Sequence, residues 1–373
     1  MKLTLALFVD ALGWEVLQRH PFLENTLPFR KPLNTIFGYS SACDPAIISG
    51  KMPDQTGHWS SFYFSPESSP FKPLWPLSYL PPFLTKRARV RNILSRFSSR
   101  FLGFTGYFQL YNVPFEHLTL FDYVEKRRMW EKNGLVKGQS IFDTIEDKGL
   151  PYYAGDQDPL EQQLDIVQNK DLSFAYVFFG ALDALMHKEG PYGKSVPYML
   201  QDFEQKIEQL IQSLKKKYDE IDIFCFSDHG MHQIKEVVDV EKEIHKLPLK
   251  YGKDYVAFYD STMARFWYIN DKARKQITQC LEGISKGRIL TKEELKSFGT
   301  YFPSNQFGET IFLLDPHVLL VPSFMGLKPI EGMHGYDPKD KDSLAAVMSN
   351  RDSIEKIEGI EGLYMLFKKS IFG

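Results

Sequence analysis

Cysteine is scarce: Cys43, Cys225 and Cys280 are the whole complement. An odd trio, with Cys225 inside an apolar run, points away from a disulfide framework and fits a reducing compartment. Long apolar runs are missing too, since no stretch reaches the roughly 18 residues of a membrane-spanning helix. The opening MKLTLALFVD briefly looks like a leader. Its apolar run stops at Asp10 and no small-residue cleavage site follows, so it reads as a first strand and the chain as cytoplasmic. No excess of one charge exists either: 45 Lys and Arg against 47 Asp and Glu leave −2. That balance gives no global reason to expect nucleic acid as a partner. Repeats and low-complexity tracts are absent, and 43% hydrophobic residues in 373 exclude a wholly disordered chain.

What the chain does hold is aromatic side chains, 30 Phe and 19 Tyr, and short apolar runs. Leu3 to Val9, Phe174 to Phe179, Ile221 to Phe226 and Leu363 to Phe367 read as buried parallel strands. Leu200, Phe203, Ile207, Leu210, Ile211 and Leu214 repeat at helical spacing between two of them. Strand–helix–strand order predicts an α/β fold, a central, mostly parallel sheet sandwiched by helices. Ligands of such sheets bind beyond the carboxyl ends of the strands. Asp10, Asp183 and Asp228 each follow a predicted strand, which gathers three acids on one rim.

Other donors accompany them. Asp183 and His187 stand four apart, on one face of a helical turn that Gly190 and Pro191 end, where both can hold one metal. Asp228 and His229 follow IDIFCFS and precede Gly230; both can reach one ion where the chain leaves its strand. His334 lies between Met333 and Gly335, where the backbone can turn an imidazole inward. Each motif alone has a plainer account: a helix N-cap for Asp10, a surface pair for Asp183 and His187, a loop start for Asp228. Together, three carboxylates, three imidazoles and the hydroxyl pair Ser40 and Ser41 are what a two-metal phosphoryl-transfer site needs. Two imidazoles and a carboxylate suit zinc or manganese, with positions left for water or substrate.

The order Asp, Ser, Asp-x-x-x-His, Ser-Asp-His-Gly, Gly-x-His-Gly-Tyr-Asp, from Asp10 to Asp337, resembles the alkaline phosphatase superfamily. It is most similar to the type I phosphodiesterase/nucleotide pyrophosphatase branch. That resemblance implies one alkaline phosphatase-like catalytic domain over 1–373, with cap insertions at about 62–130 and about 237–303. It places the nucleophile ten residues before the Gly of a Ser-Gly-x-x-Pro signature. Here the signature is Ser49-Gly50-Lys51-Met52-Pro53, which selects Ser40, and a slip of one residue selects Ser41. Cys43 stands too late for the cysteine of sulfatases. The resemblance implies two divalent ions, zinc or else manganese: one on Asp183, His187 and His334, the other on Asp10, Asp228 and His229 with Ser40. It departs at Ser61, which stands where the branch usually carries an Asn that steadies a phosphate oxygen. Ser60 or Ser61 can donate one hydrogen bond there; His232 is a possible outer-shell group or a loop histidine without a role.

Lys86, Arg87, Arg89, Arg91, Arg96 and Arg100 run without an acid, and Val90, Ile93, Leu94, Phe97 and Phe101 recur at helical spacing. This predicts a basic amphipathic helix. Three uses are open to the 86–101 segment: a helix packed on the core, contact with an anionic membrane surface, or a grip on substrate phosphates. The expectation for the whole chain is a metal-dependent hydrolase of phosphate esters or phosphoanhydrides working through a phosphoserine. A diesterase or pyrophosphatase acting on a small nucleotide- or sugar-linked substrate leads. A phosphomonoesterase or phosphotransferase on the same core follows, then a non-catalytic binding protein that keeps the fold. No feature fixes an oligomeric state.

Overall fold

Three apolar runs lie side by side at the centre of a six-stranded sheet. In this computed structural model, which describes residues 1–81, 87–155 and 158–373, the strands are β1 (Lys2–Val9), β2 (Phe29–Leu33), β3 (Tyr152–Ala154), β4 (Phe174–Phe179), β5 (Glu220–Phe226) and β6 (Ala345–Ser349). Their order is β2–β6–β5–β1–β4–β3. β1 runs parallel to β4 and β5, with Leu5 opposite both Ala175 and Ile223, and β3 is parallel to β4. Only β6 runs against its neighbours. The expected mostly parallel α/β sheet is therefore the observed one.

The period of two along each strand sorts side chains between two layers. Leu3, Leu5, Leu7 and Val9 of β1, with Ala175, Val177 and Phe179 of β4, share one buried cluster with Leu200, Phe203, Ile207, Leu210, Ile211 and Leu214. Those six come from one stripe of a helix, Val196–Leu214. Each such side chain contributes roughly 1.5–3 kcal/mol by leaving water. On the other face, Phe142 of the helix Ile141–Asp147 and Phe367 of the helix Leu363–Phe372 pack on Phe174, Tyr176, Phe224 and Phe226. The last helix corrects an expectation: Leu363 to Phe367 reads as a strand in sequence and is helical here. Leu363, Leu366, Phe367 and Ser370 are buried at i, i+3, i+4 and i+7, a helical stripe that a five-residue window is too short to show.

The chain divides into two compact units. The first comprises Met1–Thr56, Trp130–Gln233 and Ile330–Gly373 and contains the sheet above. The second comprises Gly57–Met129 and Ile234–Pro329. It has a four-stranded antiparallel sheet in the order Tyr255–Tyr259, Met263–Tyr268, Thr310–Leu314, Gly287–Ile289, and a pair formed by Phe62–Phe64 and Phe121–Tyr123. Within it the buried Arg265 bonds Asp260 through Nε at 2.7 Å and the Phe62 carbonyl through Nη1 at 2.9 Å, so its charge is paired and its donors are used.

Candidate metal centre

All of the acidic and imidazole candidates fall in the first unit, at the carboxyl ends of β1, β4 and β5. Asp10 is the residue after β1, and its backbone N–H donates to Phe179 O at the end of β4. The next residue, Ala11, is left-handed at φ 62, which aims its N–H toward Asp228 Oδ1 at 3.4 Å. Asp228 and His229 lie just beyond β5, where Gly230 passes so close to the Asp342 carbonyl that a Cβ would meet it at 2.2 Å. Thr35 Oγ1 donates to the Asp228 carbonyl at 2.6 Å and pins that turn.

Ser40 opens the helix Ser40–Ser49, here α1, so its hydroxyl sits at the positive end of a ten-residue helix. Gly50 ends α1 in the left-handed region at φ 68, against the Tyr364 ring. Asp183 and His187 lie on the helix Ala181–Glu189, here α2. Gly332–Met333 pairs with His232–Gln233, which ties the chain before His334 to the chain after His229.

These pieces converge. Ser40 Oγ is 3.2 Å from His229 Nε2, which is 3.0 Å from Asp228 Oδ2 and 3.9 Å from Asp10 Oδ1. Asp183 Oδ1 is 3.3 Å from His187 Nε2 and 3.7 Å from His334 Nε2. The His229 and His334 rings lie nearly parallel with centroids 3.6 Å apart. Donor atoms of Asp10, Asp228 and His229 fall within 4.8 Å of one another, and so do those of Asp183, His229 and His334. His229 thus belongs to both groups, a sharing that the sequence did not reveal.

The tautomers decide what these short separations mean. His187 Nδ1 faces the Gly332 carbonyl at 2.8 Å and His229 Nδ1 faces the Gly230 carbonyl at 3.0 Å. A carbonyl only accepts, so each Nδ1 carries the proton and each neutral ring turns a bare Nε2 toward a carboxylate. Lone pair then faces lone pair at 3.0 and 3.3 Å, an arrangement that needs a cation or an extra proton between them. Asp10 Oδ1, Asp183 Oδ1, Asp228 Oδ2 and His334 Nδ1 are also buried without a hydrogen-bond partner among the described residues. This donor set fits divalent metal ions.

Burial and neighbouring charges set the titration of the site. Burial, then the charges of Asp228 and Asp183, hold the Asp10 carboxyl well above the usual range. Burial, then the neighbouring His229 and His187, push His334 well below the usual imidazole value, leaving it neutral. For His229 burial pulls downward, but the Asp228 charge outweighs it and raises the group. His334 is thereby pushed toward the neutral state in which an imidazole binds a cation, whereas the raised Asp10 and His229 hold protons that a cation would displace.

Ser41 follows Ser40 on α1, turned by about 100°. Ser60 and Ser61 lie in the second unit. There Ser61 Oγ donates to Glu125 Oε1 at 3.1 Å, and burial pushes the Glu125 carboxyl up to about 7 against that bond. His232 is fully buried in the first unit, its Nε2 2.9 Å from Ser343 Oγ and its ring against Tyr336. Thr35 and the Gly332 carbonyl, which orient ligands, carry no signal in the sequence.

The family described as type I phosphodiesterase / nucleotide pyrophosphatase has a model that matches residues 4–337. No curated protein matches by sequence. Among solved structures, human ectonucleotide pyrophosphatase/phosphodiesterase 5 is similar at TM-score 0.70 and 13% identity, covering 100% of this chain and 95% of that one. The murine protein is similar at TM-score 0.68 and 14% identity with the same coverage. An inactive murine variant in complex with AMP is similar at TM-score 0.67 and 14% identity, again covering 100% and 95%. At such identities these three likenesses are of fold.

Proposed function

Since this chain belongs to the type I phosphodiesterase / nucleotide pyrophosphatase family, we propose that it is a metal-dependent hydrolase of phosphodiester or phosphoanhydride bonds with Ser40 as nucleophile. The observation that carries this reading is the position of Ser40 Oγ, at the head of α1 and 3.2 Å from His229 Nε2, beside Asp10 and Asp228. Asp10, Asp228 and His229 would hold one ion with Ser40; Asp183, His187 and His334 would hold a second. Zinc suits that nitrogen- and carboxylate-rich set best, and manganese next. Such ions supply Lewis-acid charge that lowers the Ser40 hydroxyl pKa and offsets charge on the phosphate oxygens.

In the reaction Ser40 Oγ gives up its proton, which reaches the departing oxygen by way of solvent, and bonds to phosphorus while the P–O bond to the leaving group breaks. Water then attacks the same phosphorus, releasing the phosphoryl product and restoring the hydroxyl. The positive end of the α1 dipole favours the anionic group that Ser40 carries between the two steps. His187 and His229 keep their orientation through the Gly332 and Gly230 carbonyls, so little rearrangement accompanies attack. The AMP in the murine neighbour supports a nucleotide-like group on the substrate.

Ser40→Ala should lower turnover of bis-p-nitrophenyl phosphate by at least about a thousandfold with metal content unchanged. Activity that survives Ser40→Ala and vanishes in Ser41→Ala would move the nucleophile one residue. If p-nitrophenyl phosphate is hydrolysed much the faster by the native protein, the substrate class is a monoester instead. Ser61 is the feature that favours that second reading, because it stands in the sequence where the diesterase branch usually carries Asn.

A further inference from the structure

The helix Ala88–Leu102 of the second unit turns its apolar stripe outward. Its inner side is polar. Arg91 is buried, donates to the Val113 carbonyl at 2.7 Å and lies over the Phe115 ring, while Ser95 accepts from the Leu110 N–H at 3.0 Å and Ser98 is fully buried. Ile93, Phe97 and Phe101 are instead 67%, 63% and 60% exposed, and the two phenylalanine rings stack on each other. Spaced by four, they form one stripe about 12 Å long. Arg100, Arg89 and Arg96 fall along one edge of it, all exposed. These three arginines meet no carboxylate among the described residues, and the chain has no Asp or Glu between Glu67 and Glu116. Lys86, at the head of this basic run, lies outside the described residues.

We propose that this face is a docking surface for an anionic lipid membrane, with Ile93, Phe97 and Phe101 entering the headgroup region and Arg89, Arg96 and Arg100 meeting lipid phosphates. A helix whose own unit leaves its apolar stripe in water, beside a row of unpaired arginines, has the two attractions that interfacial binding combines. A free phosphate or a nucleic acid would use the arginines and leave three large apolar side chains in water. A second copy docked through the same face would set arginine against arginine, in a self-complementary contact that repels. This proposal stands independently of the hydrolytic site.

The test is co-sedimentation of the intact protein with vesicles of phosphatidylcholine alone and of phosphatidylcholine with phosphatidylserine. Binding is expected to the phosphatidylserine vesicles and to weaken as salt is added. Phe97→Asp with Phe101→Asp should lower it by about tenfold or more, with thermal melting unchanged. The triple change Arg89→Gln, Arg96→Gln, Arg100→Gln should lower it by about a hundredfold and erase the preference for phosphatidylserine. No vesicle binding, binding indifferent to both variants, or binding abolished by millimolar inorganic phosphate would overturn the proposal. So would a dimer in sedimentation velocity that Phe97→Asp dissociates.

Discussion

At the scale of single residues, burial decides which groups keep a proton. Glu125 illustrates this away from the metal centre: it is 5% exposed, its carboxyl is raised from 4.5 to about 7, and Ser61 supplies one opposing hydrogen bond. Between those two values the folded chain holds a proton that the unfolded chain has lost. The stability tied to Glu125 is therefore complete below about pH 4.5, falls as pH rises toward about 7, and stays flat above it, a loss on the order of 3 kcal/mol. Glu125→Gln keeps an acceptor for Ser61 and removes the charge. The variant should melt above the parent at about pH 8, and the two should converge near pH 4.5. A parent that is the more stable at high pH would mean that the ionised carboxylate is well solvated. The sequence singled out Ser61 for its position in the chain, but not its partner. Glu125 stands 64 residues away, and a pairing between distant strands leaves no local pattern.

Among the elements, the legible parts were those buried on both faces. β1, β4 and β5 are central, so nearly every position is apolar and the run shows in any window. β2 reads FRKPL, with two cations and a proline, because it is an edge strand with half-buried faces. β6, with two alanines and a terminal serine, is no more hydrophobic than many loops. Part of the candidate site was legible for a related reason: Asp10, Asp228 and His229 follow central strands directly, whereas the groups that orient the histidines are main-chain carbonyls. Gly332 shows what such a carbonyl does. A Cβ there would meet the Met186 carbonyl of α2 at 2.3 Å. Gly332→Ala must therefore push the 332–333 strand off α2 and stretch the bond between His187 Nδ1 and Gly332 O. Loss of an orienting partner of this kind typically lowers metal affinity by about 10–100-fold. Metal titration should show that loss with far-ultraviolet circular dichroism unchanged, and an unaltered affinity would make the His187 bond incidental.

For the whole molecule, the candidate residues join distant pieces of the first unit. Asp10 and Ser40 come from 1–56, Asp183, His187, Asp228 and His229 from 130–233, and His334 from 330–373, the three pieces of the first unit. Metal ions held by such residues would act as cross-links that close long loops and would replace repulsion among the three carboxylates by attraction. Binding to the folded state alone adds about 2.7 kcal/mol when free metal exceeds its dissociation constant a hundredfold. That increment would belong to the first unit, which holds all seven candidate residues. Hydrogen exchange with and without chelator can read this directly. Removal of metal should speed exchange around 8–12, 38–44, 181–190, 227–233 and 330–337, and leave the sheet formed by 255–268 and 310–314 at its original rates. Equal acceleration in both units would mean that metal stabilises the chain as one cooperative body. No change in either would mean that the seven converging side chains hold no metal, and the proposed chemistry on Ser40 would fall with it.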